Sequence, residues 1–260
     1  MNKKEEEKYG NWVPEKLLFA LWLLSAIIMA FLITNIVVWQ SVVATILLAI
    51  IFAIVLFFAV YMQLFHYTFS QKGYDLSTKI YDYILDNLNF DGSGAVLDIG
   101  CGSGALSIRT AKCYKNAKVI GLDYWGIKFD YAKEQCEYNA KITNTKNVQF
   151  VKGDASKLPF NDETFDAVVS NFVFHEVDSV KDKKELIYES LRVLKKGGKF
   201  AFHDMFDSKR IYGNINEIIS ELKNQGFSKV YYQNKTENLK FVPKSIKLMY
   251  NHCGMLYGEK

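Results

Sequence analysis

Proline is scarce in this chain, at 3 in 260 residues, and glycine is modest at 16. That excludes collagen-like and linker-like architectures. Cysteine is sparse too. Cys101, Cys113, Cys136 and Cys253 form no C-x-x-C pair, so they read as ordinary reduced thiols on the cytoplasmic side, not as a disulfide framework. Half of the residues are apolar, which rules out a disordered chain. The net charge is only +4, with lysines scattered among acids, so nucleic acid is not an expected partner. The most informative absence is local: from Leu17 through Gln71 there is no Lys, Arg, Asp or Glu.

A helix through that whole run of about 55 residues would measure about 80 Å, against a hydrocarbon core of about 30 Å. Two passes fit better, over residues 17–38 and 42–64, with the turn near Trp39, Gln40 and Ser41. The run is too long for a cleaved signal peptide, and three consecutive glutamates stand near its start. Neither span shows the polar face of a soluble helix. Lys3, Lys4, Lys8 and Lys16 precede the first span, Lys72 and Lys79 follow the second, and the turn has no lysine or arginine. That bias predicts a two-pass cell-membrane protein with both termini cytoplasmic. The predicted organisation is a cytoplasmic segment 1–16, spans 17–38 and 42–64, and a cytoplasmic domain 74–260. Tyr9, Trp12, Tyr61 and Tyr67 are the expected interfacial anchors.

From Tyr74 onward the periodicity changes. Residues 74–90 carry Leu76, Ile80, Tyr83, Ile84 and Leu88 at helical spacing. After the break at residues 91–94, short apolar runs alternate with helical patterns. Strands are predicted at AVLDIG, AKVIGLD, NVQFVKGD, FDAVVSNFVF and GKFAFHD, with KVYYQ and SIKLMY as the last two. Helices are predicted at GALSIRTAKCY, at residues 124–142, at residues 181–196 ending on Gly197 and Gly198, and before Gly226. Such alternation implies an α/β fold, a largely parallel sheet covered by helices.

The first strand-to-helix junction reads VLDIGCGSG and places Asp98, Gly100, Gly102 and Gly104 in D-x-G-x-G-x-G around Cys101. Glycines there let the backbone turn tightly and approach a ligand at the carboxyl ends of the strands. Asp123 ends the second predicted strand, where a carboxylate accepts hydrogen bonds from a ribose diol; a helix N-cap is its other reading. Tyr124 and Trp125 follow, with ring faces suited to a purine. Asp154 and Ala155 sit in GDASKLPF after the third strand. The spacing departs from the G-x-G-x-x-G of pyrophosphate-binding loops, and an Asp opens the motif.

Together VLDIGCGSG, Asp123, GDASKLPF, FDAVVSNFVFHEV and LRVLKKGGKF resemble the class I S-adenosylmethionine-dependent methyltransferases. They are most similar to the type 11 group that includes ubiquinone/menaquinone-biosynthesis C-methyltransferases. The resemblance covers about residues 75–205. It implies a Rossmann-like seven-stranded, mostly parallel sheet with helices on both faces and an antiparallel last strand, preceded here by two transmembrane helices. It also implies that the glycine loop, Cys101 included, cradles the methionine and ribose parts of S-adenosyl-L-methionine. Asp98 then orders the loop and meets the cationic amino-acid end, Asp123 holds the ribose with Tyr124 beside it, Asp154 and Ala155 hold the adenine, and Asn171 lies near the sulfonium. Tyr74 is the expected lid residue. His175 is the first candidate for a general base and His203 the second. Glu176, Asp178 and Asp204 match no metal-ligand spacing, so no metal is expected. The predicted partners are the lipid bilayer and a small-molecule or lipophilic methyl acceptor. A catalytically silent cofactor-binding membrane partner or assembly protein is the alternative.

Overall fold

The computed structural model describes residues 6–126 and 133–260. Lys3 and Lys4 of the orientation argument, and positions 127–132 of the helix predicted over 124–142, lie outside the described residues. The chain divides into two units. One is Asn11–Ser77; the other joins the chain up to Gly10 with Thr78–Lys260. The first unit is therefore inserted into the sequence of the second.

The inserted unit is a helical hairpin. Helix α1 (Glu15–Thr34) follows Pro14 and runs into a π-type turn, Asn35–Trp39. Gln40 takes a φ of 53° and ends that turn, and the Ser41 hydroxyl caps α2 (Val42–Phe69). Asn35 is buried and ties the bend, its Nδ2 donating to the Ser41 carbonyl at 2.9 Å and to Thr45 Oγ1 at 2.7 Å. Both helical stretches are long and apolar enough to cross a membrane. Large side chains along them, among them Phe19, Phe31, Ile46 and Phe57, point outward, an arrangement costly in water and natural in lipid.

Helix α3 (Leu76–Leu88) leads into the sheet unit. There follow β1 (Ser93–Ile99), α4 (Ala105–Cys113), β2 (Asn116–Asp123), α5 (Lys133–Ile142), β3 (Val148–Lys152) and β4 (Phe165–Asn171). Then come α6 (Lys184–Arg192), β5 (Leu194–Asp204), α7 (Lys209–Tyr212), α8 (Ile215–Asn224), β6 (Lys229–Gln233) and β7 (Gly254–Glu259). The seven strands form one sheet in the order β3-β2-β1-β4-β5-β7-β6, with β7 antiparallel to both neighbours and the other strand pairs parallel. Val96, Leu97, Ile99, Val168, Val169, Phe200 and Phe202 are buried, as expected of strands covered on both faces. Because β1 lies between β2 and β4, the strand order reverses beside it, and ligands of such sheets bind at the carboxyl edge of that switch point.

Three local predictions need correction. SIKLMY is not a strand: after Pro243 it opens with a 3-10 turn, Lys244–Ile246, in which Ile246 is buried while Leu248 and Met249 face outward. The last strand is β7, which starts nine residues after Ser245. The helix expected to reach Lys196 stops at Arg192, because Leu194 already pairs with Phe165 and Lys199 with Ala167. The intervening residues bulge out of the ladder, with Gly197 at a φ of 74°. The fourth strand ends at Asn171, and Phe172 leaves it at a φ of 56°.

Candidate active site

Acidic and amide side chains collect along the carboxyl edge of the sheet. Asp98 stands on β1, Asp123 ends β2, Asp154 follows β3, Asn171 ends β4 and Asp204 ends β5. Each reaches that edge because parallel strands all point the same way.

The glycine loop is folded around these carboxylates. Gly100, Gly102 and Gly104 have φ values of 71°, 55° and 82°, left-handed conformations that glycine adopts without a Cβ penalty. The Gly100 and Cys101 N–H groups both donate to the Leu122 carbonyl, at 2.7 and 3.0 Å. Asp123 receives the Gly102 N–H on Oδ2 and the Trp125 N–H on Oδ1, both at 2.8 Å. The Trp125 indole returns to the loop and donates to the Gly102 carbonyl at 2.9 Å. Tyr124 is mostly exposed, with the Lys152 ammonium over its ring. The Cys101 thiol is buried, and burial pushes its pKa up, so it is a poor nucleophile at neutral pH.

Asp98 is 1% exposed and accepts the Ser107 hydroxyl at 2.5 Å. Burial raises its pKa to about 7; the Ser107 bond opposes that rise and the Asp123 charge adds to it. A buried carboxylate so close to neutrality is ready to receive a cation. Asp154 Oδ1 accepts from the Ser156 N–H at 2.8 Å and from the Ser179 hydroxyl at 3.3 Å. Ala155 beside it is buried.

A second network joins β4 and β5. His203 is fully enclosed, with Nδ1 2.9 Å from Asn171 Oδ1 and Nε2 2.9 Å from Thr236 Oγ1. Burial lowers its pKa to about 4 against the pull of Asp204. It is therefore neutral, with its proton on Nδ1 facing the amide oxygen, which leaves the Asn171 Nδ2 group as the donor that residue offers a ligand. His175 is different. Burial disfavours its charge, but hydrogen bonds to Asp204 and Glu176 outweigh that and raise its pKa to about 9. Asp204 also accepts the Val173 and Phe174 N–H groups at 3.1 and 2.9 Å.

Sequence reasoning named Asp98, the glycine loop, Asp123, Asp154, Asn171 and both histidines, and the fold places all of these along one sheet edge. Tyr74 falls in the hairpin unit, where its N–H donates to the Tyr67 carbonyl at 3.1 Å. Ser107, Ser103 and Asn139 were missed. Asp204 was weighed only as a metal ligand, though an acid closing a strand at this edge was the available signal. Among the described residues no group of three or more His, Cys, Asp or Glu is arranged to hold a metal.

The profile of the family described as "Methyltransferase domain" matches residues 90–250, more than half of the chain. The chain belongs to this family. The methyltransferase is 32% identical over 108 residues to a ubiquinone/menaquinone biosynthesis C-methyltransferase of Desulfotalea psychrophila, 42% of this chain and 40% of that one. It is 32% identical over 145 residues to a sterol 24-C-methyltransferase of Saccharomyces cerevisiae, 54% of this chain and 36% of that one. The matches thus span about two fifths of those relatives. In fold the methyltransferase is similar to phosphoethanolamine N-methyltransferase 2 of Haemonchus contortus in complex with S-adenosyl-L-methionine, at a TM-score of 0.54 and 20% identity over 70% of this chain and 52% of that one. That structure holds S-adenosyl-L-methionine, and the donor set here is compatible with such a ligand: buried and half-buried carboxylates around a glycine-rich loop suit a cationic nucleoside better than a pyrophosphate.

Proposed function

We propose that this methyltransferase is anchored in the cell membrane by its hairpin and transfers a methyl group to a lipophilic or small-molecule acceptor at the bilayer. The observation that carries the reading is the row Asp98, Asp123 and Asp154 around three left-handed glycines, on a chain that also holds two outward-facing apolar helices. The quinone and sterol substrates in the names of the two relatives support a lipophilic acceptor. In this reading residues 17–38 and 42–64 lie in lipid, while 1–16 and 74–260 stay on the cytoplasmic side. The residues up to Gly10 group with the sheet unit, across the hairpin in sequence. Two segments of one folded unit belong on one side of a membrane, which supports an even number of passes.

When bound, S-adenosylmethionine supplies an electrophilic methyl carbon on a sulfonium, with a neutral thioether as leaving group. The protein's task is mainly alignment. Gly100, Cys101, Gly102 and Gly104 cradle the methionine and ribose parts, and Asp98 faces the amino-acid end. Asp123, with Tyr124 beside it, binds the ribose hydroxyls. Asp154 and Ala155 take the adenine, and Asn171 offers its Nδ2 amide near the reacting centre. Tyr74 is proposed as a lid residue. His175 is proposed as the acid–base group. With a pKa of about 9 it is an imidazolium at neutral pH, with Nδ1 on Asp204 and Nε2 3.4 Å from Glu176 Oε1, so an acceptor oxygen accepts the Nε2 hydrogen bond in place of Glu176. His175 removes a proton only as the pH approaches that value.

The deciding experiment incubates membranes carrying the full chain with isotope-labelled S-adenosylmethionine and identifies labelled products by mass spectrometry. Label in a lipid-extractable small molecule is expected. Binding of the cofactor with no product from any extract would instead support a catalytically silent binding protein.

A further inference from the structure

The chain segment that precedes the hairpin is fastened to the cofactor loop. The Lys8 N–H donates to Asn139 Oδ1 at 2.7 Å, and Asn139 Nδ2 donates back to the Lys8 carbonyl at 3.1 Å. The same Nδ2 donates to the Ser103 carbonyl, inside the glycine loop, at 3.0 Å. Gly10 closes the circuit, its N–H donating to Ser103 Oγ at 3.3 Å. Gln135 Nε2 donates to the Lys8 carbonyl as well, and the Lys8 ammonium lies over the Tyr138 ring at 4.7 Å. On the other side of the loop the Cys136 thiol donates to the Gly102 carbonyl at 3.1 Å. Helix α5 therefore grips Lys8 and the glycine loop, with Asn139 shared between them, and Gly10 bonds to the loop directly.

Asn139 is 0% exposed. Its oxygen and both its amide hydrogens are engaged by the strap and the loop, a set that no other donor–acceptor assignment satisfies. Without Lys8 the buried amide keeps only its bond to Ser103. A buried polar group stranded in this way destabilises the conformation that strands it. Tyr9, read from sequence as an interfacial anchor, belongs to the sheet unit because its neighbours' backbone groups pair there. Burial, then Glu7 and Cys136, raise its hydroxyl pKa.

We propose that residues 6–10 form a strap that holds the cofactor loop in its binding conformation, with the Asn139 side chain as the latch. Asn139 is a positioning residue: it acts on the cofactor through Ser103 and the loop. The inference rests on the cofactor reading above and extends the binding machinery to a segment upstream of the hairpin.

The test uses the full chain in lipid nanodiscs, with S-adenosylmethionine and S-adenosylhomocysteine binding measured by calorimetry. Amide hydrogen exchange of residues 102–105 is followed in the ligand-free protein. Lys8→Pro removes the N–H that Asn139 receives. It is expected to weaken binding roughly tenfold, the scale of one lost buried hydrogen bond, and to speed exchange in the loop. Lys8→Ala keeps both backbone groups and should lose less. Gly10→Pro, which removes the bond to Ser103, is the second variant should Lys8→Pro fold poorly. Wild-type affinity and wild-type loop exchange in both proline variants overturn the strap while leaving the cofactor reading intact, as does equal loss in Lys8→Ala and Lys8→Pro. A wild-type protein that binds neither nucleoside overturns both.

Discussion

Nδ1 of His175 lies 2.7 Å from Oδ1 of Asp204, a carboxylate that is itself 1% exposed. The pair explains why a half-buried imidazole stays charged. Burial alone depresses a histidine's pKa, whereas a facing carboxylate raises it, and here the acids prevail, at about 9. Because the folded value lies above the ordinary one of about 6.5, the pair's contribution to stability is full below about pH 6.5 and is lost as pH rises through about 9. A nuclear magnetic resonance titration should place the His175 midpoint near 9 in the wild type and lower in Asp204→Asn. A wild-type midpoint at 6.5 or below contradicts the pairing. If His175 removes the acceptor proton, turnover also climbs between pH 7 and 9, and that climb moves to lower pH in Asp204→Asn.

Asp98 titrates in the same direction for a different reason, burial instead of an ion pair. Its folded value of about 7 stands above the unfolded one of about 3.9, so the folded protein keeps a proton that the unfolded chain gives up. The stabilisation is complete below about pH 4 and fades as pH rises through about 7, by up to about 1.4 kcal/mol per pH unit. Asp98→Asn should therefore melt higher than wild type at pH 8. It should also bind S-adenosylmethionine more weakly by about 1–3 kcal/mol. Affinity of the wild type should rise from pH 6 to 8 as Asp98 ionises to meet the cofactor's ammonium, and in the variant that rise flattens. Calorimetry across this range decides it; a wild-type affinity independent of pH removes Asp98 from the cofactor's cationic end.

Asp123 orders the loop through Gly102 and Trp125, and on the proposed reading its remaining lone pairs serve a ribose. Asp123→Ala should lose about 1–3 kcal/mol of cofactor affinity. Asp123→Asn keeps one acceptor oxygen and should lose less. Unchanged affinity in both variants would falsify the ribose assignment.

Gly100 tests the loop's shape directly. A Cβ there would come within 2.2 Å of Val173 Cγ2, at a φ of 71° that L-residues rarely adopt. Gly100→Ala should cost about 1–3 kcal/mol of stability or binding from backbone strain alone. Adding Val173→Ala removes the two methyl contacts but leaves that residue's own Cβ at 2.8 Å and the dihedral unchanged, so recovery in the melting temperature should be partial. Full recovery would mean that the dihedral carries no cost.

These glycines also mark the boundary of what sequence reading reached. VLDIGCGSG was legible because a short apolar strand, an acid and alternating glycines each have a local physical reason. The strand β7 was not legible, because its glycines look like strand breakers. They are there for packing: a Cβ on Gly254 would meet the Tyr232 hydroxyl at 2.3 Å, and one on Gly258 the Lys229 carbonyl at 2.0 Å. SIKLMY showed a strand-like apolar pattern, yet Leu248 and Met249 stay exposed. Residues 8–10 left no trace in sequence because their bonds run through backbone N–H and C=O groups, which every residue carries. Asn139 looked like one more polar residue of a helix.

The hairpin supplies the last prediction. On the proposed topology the bend at Trp39–Gln40 lies outside the cell, while Cys113, exposed on the sheet unit, lies inside. A membrane-impermeant maleimide applied to intact cells should label Trp39→Cys and leave Cys113 unlabelled; opening the cells should expose Cys113. Trp39 is 61% exposed, so the substitution costs little packing. Two observations make the even number of passes physical: lysines flank both ends of the apolar run, and Lys8 bonds to Asn139 from the far side of the hairpin in sequence. A single pass would separate those two residues by the bilayer and break that bond. Labelling of Cys113 but not position 39 in intact cells would invert the topology. Release of the chain from vesicles by carbonate would remove the spans altogether.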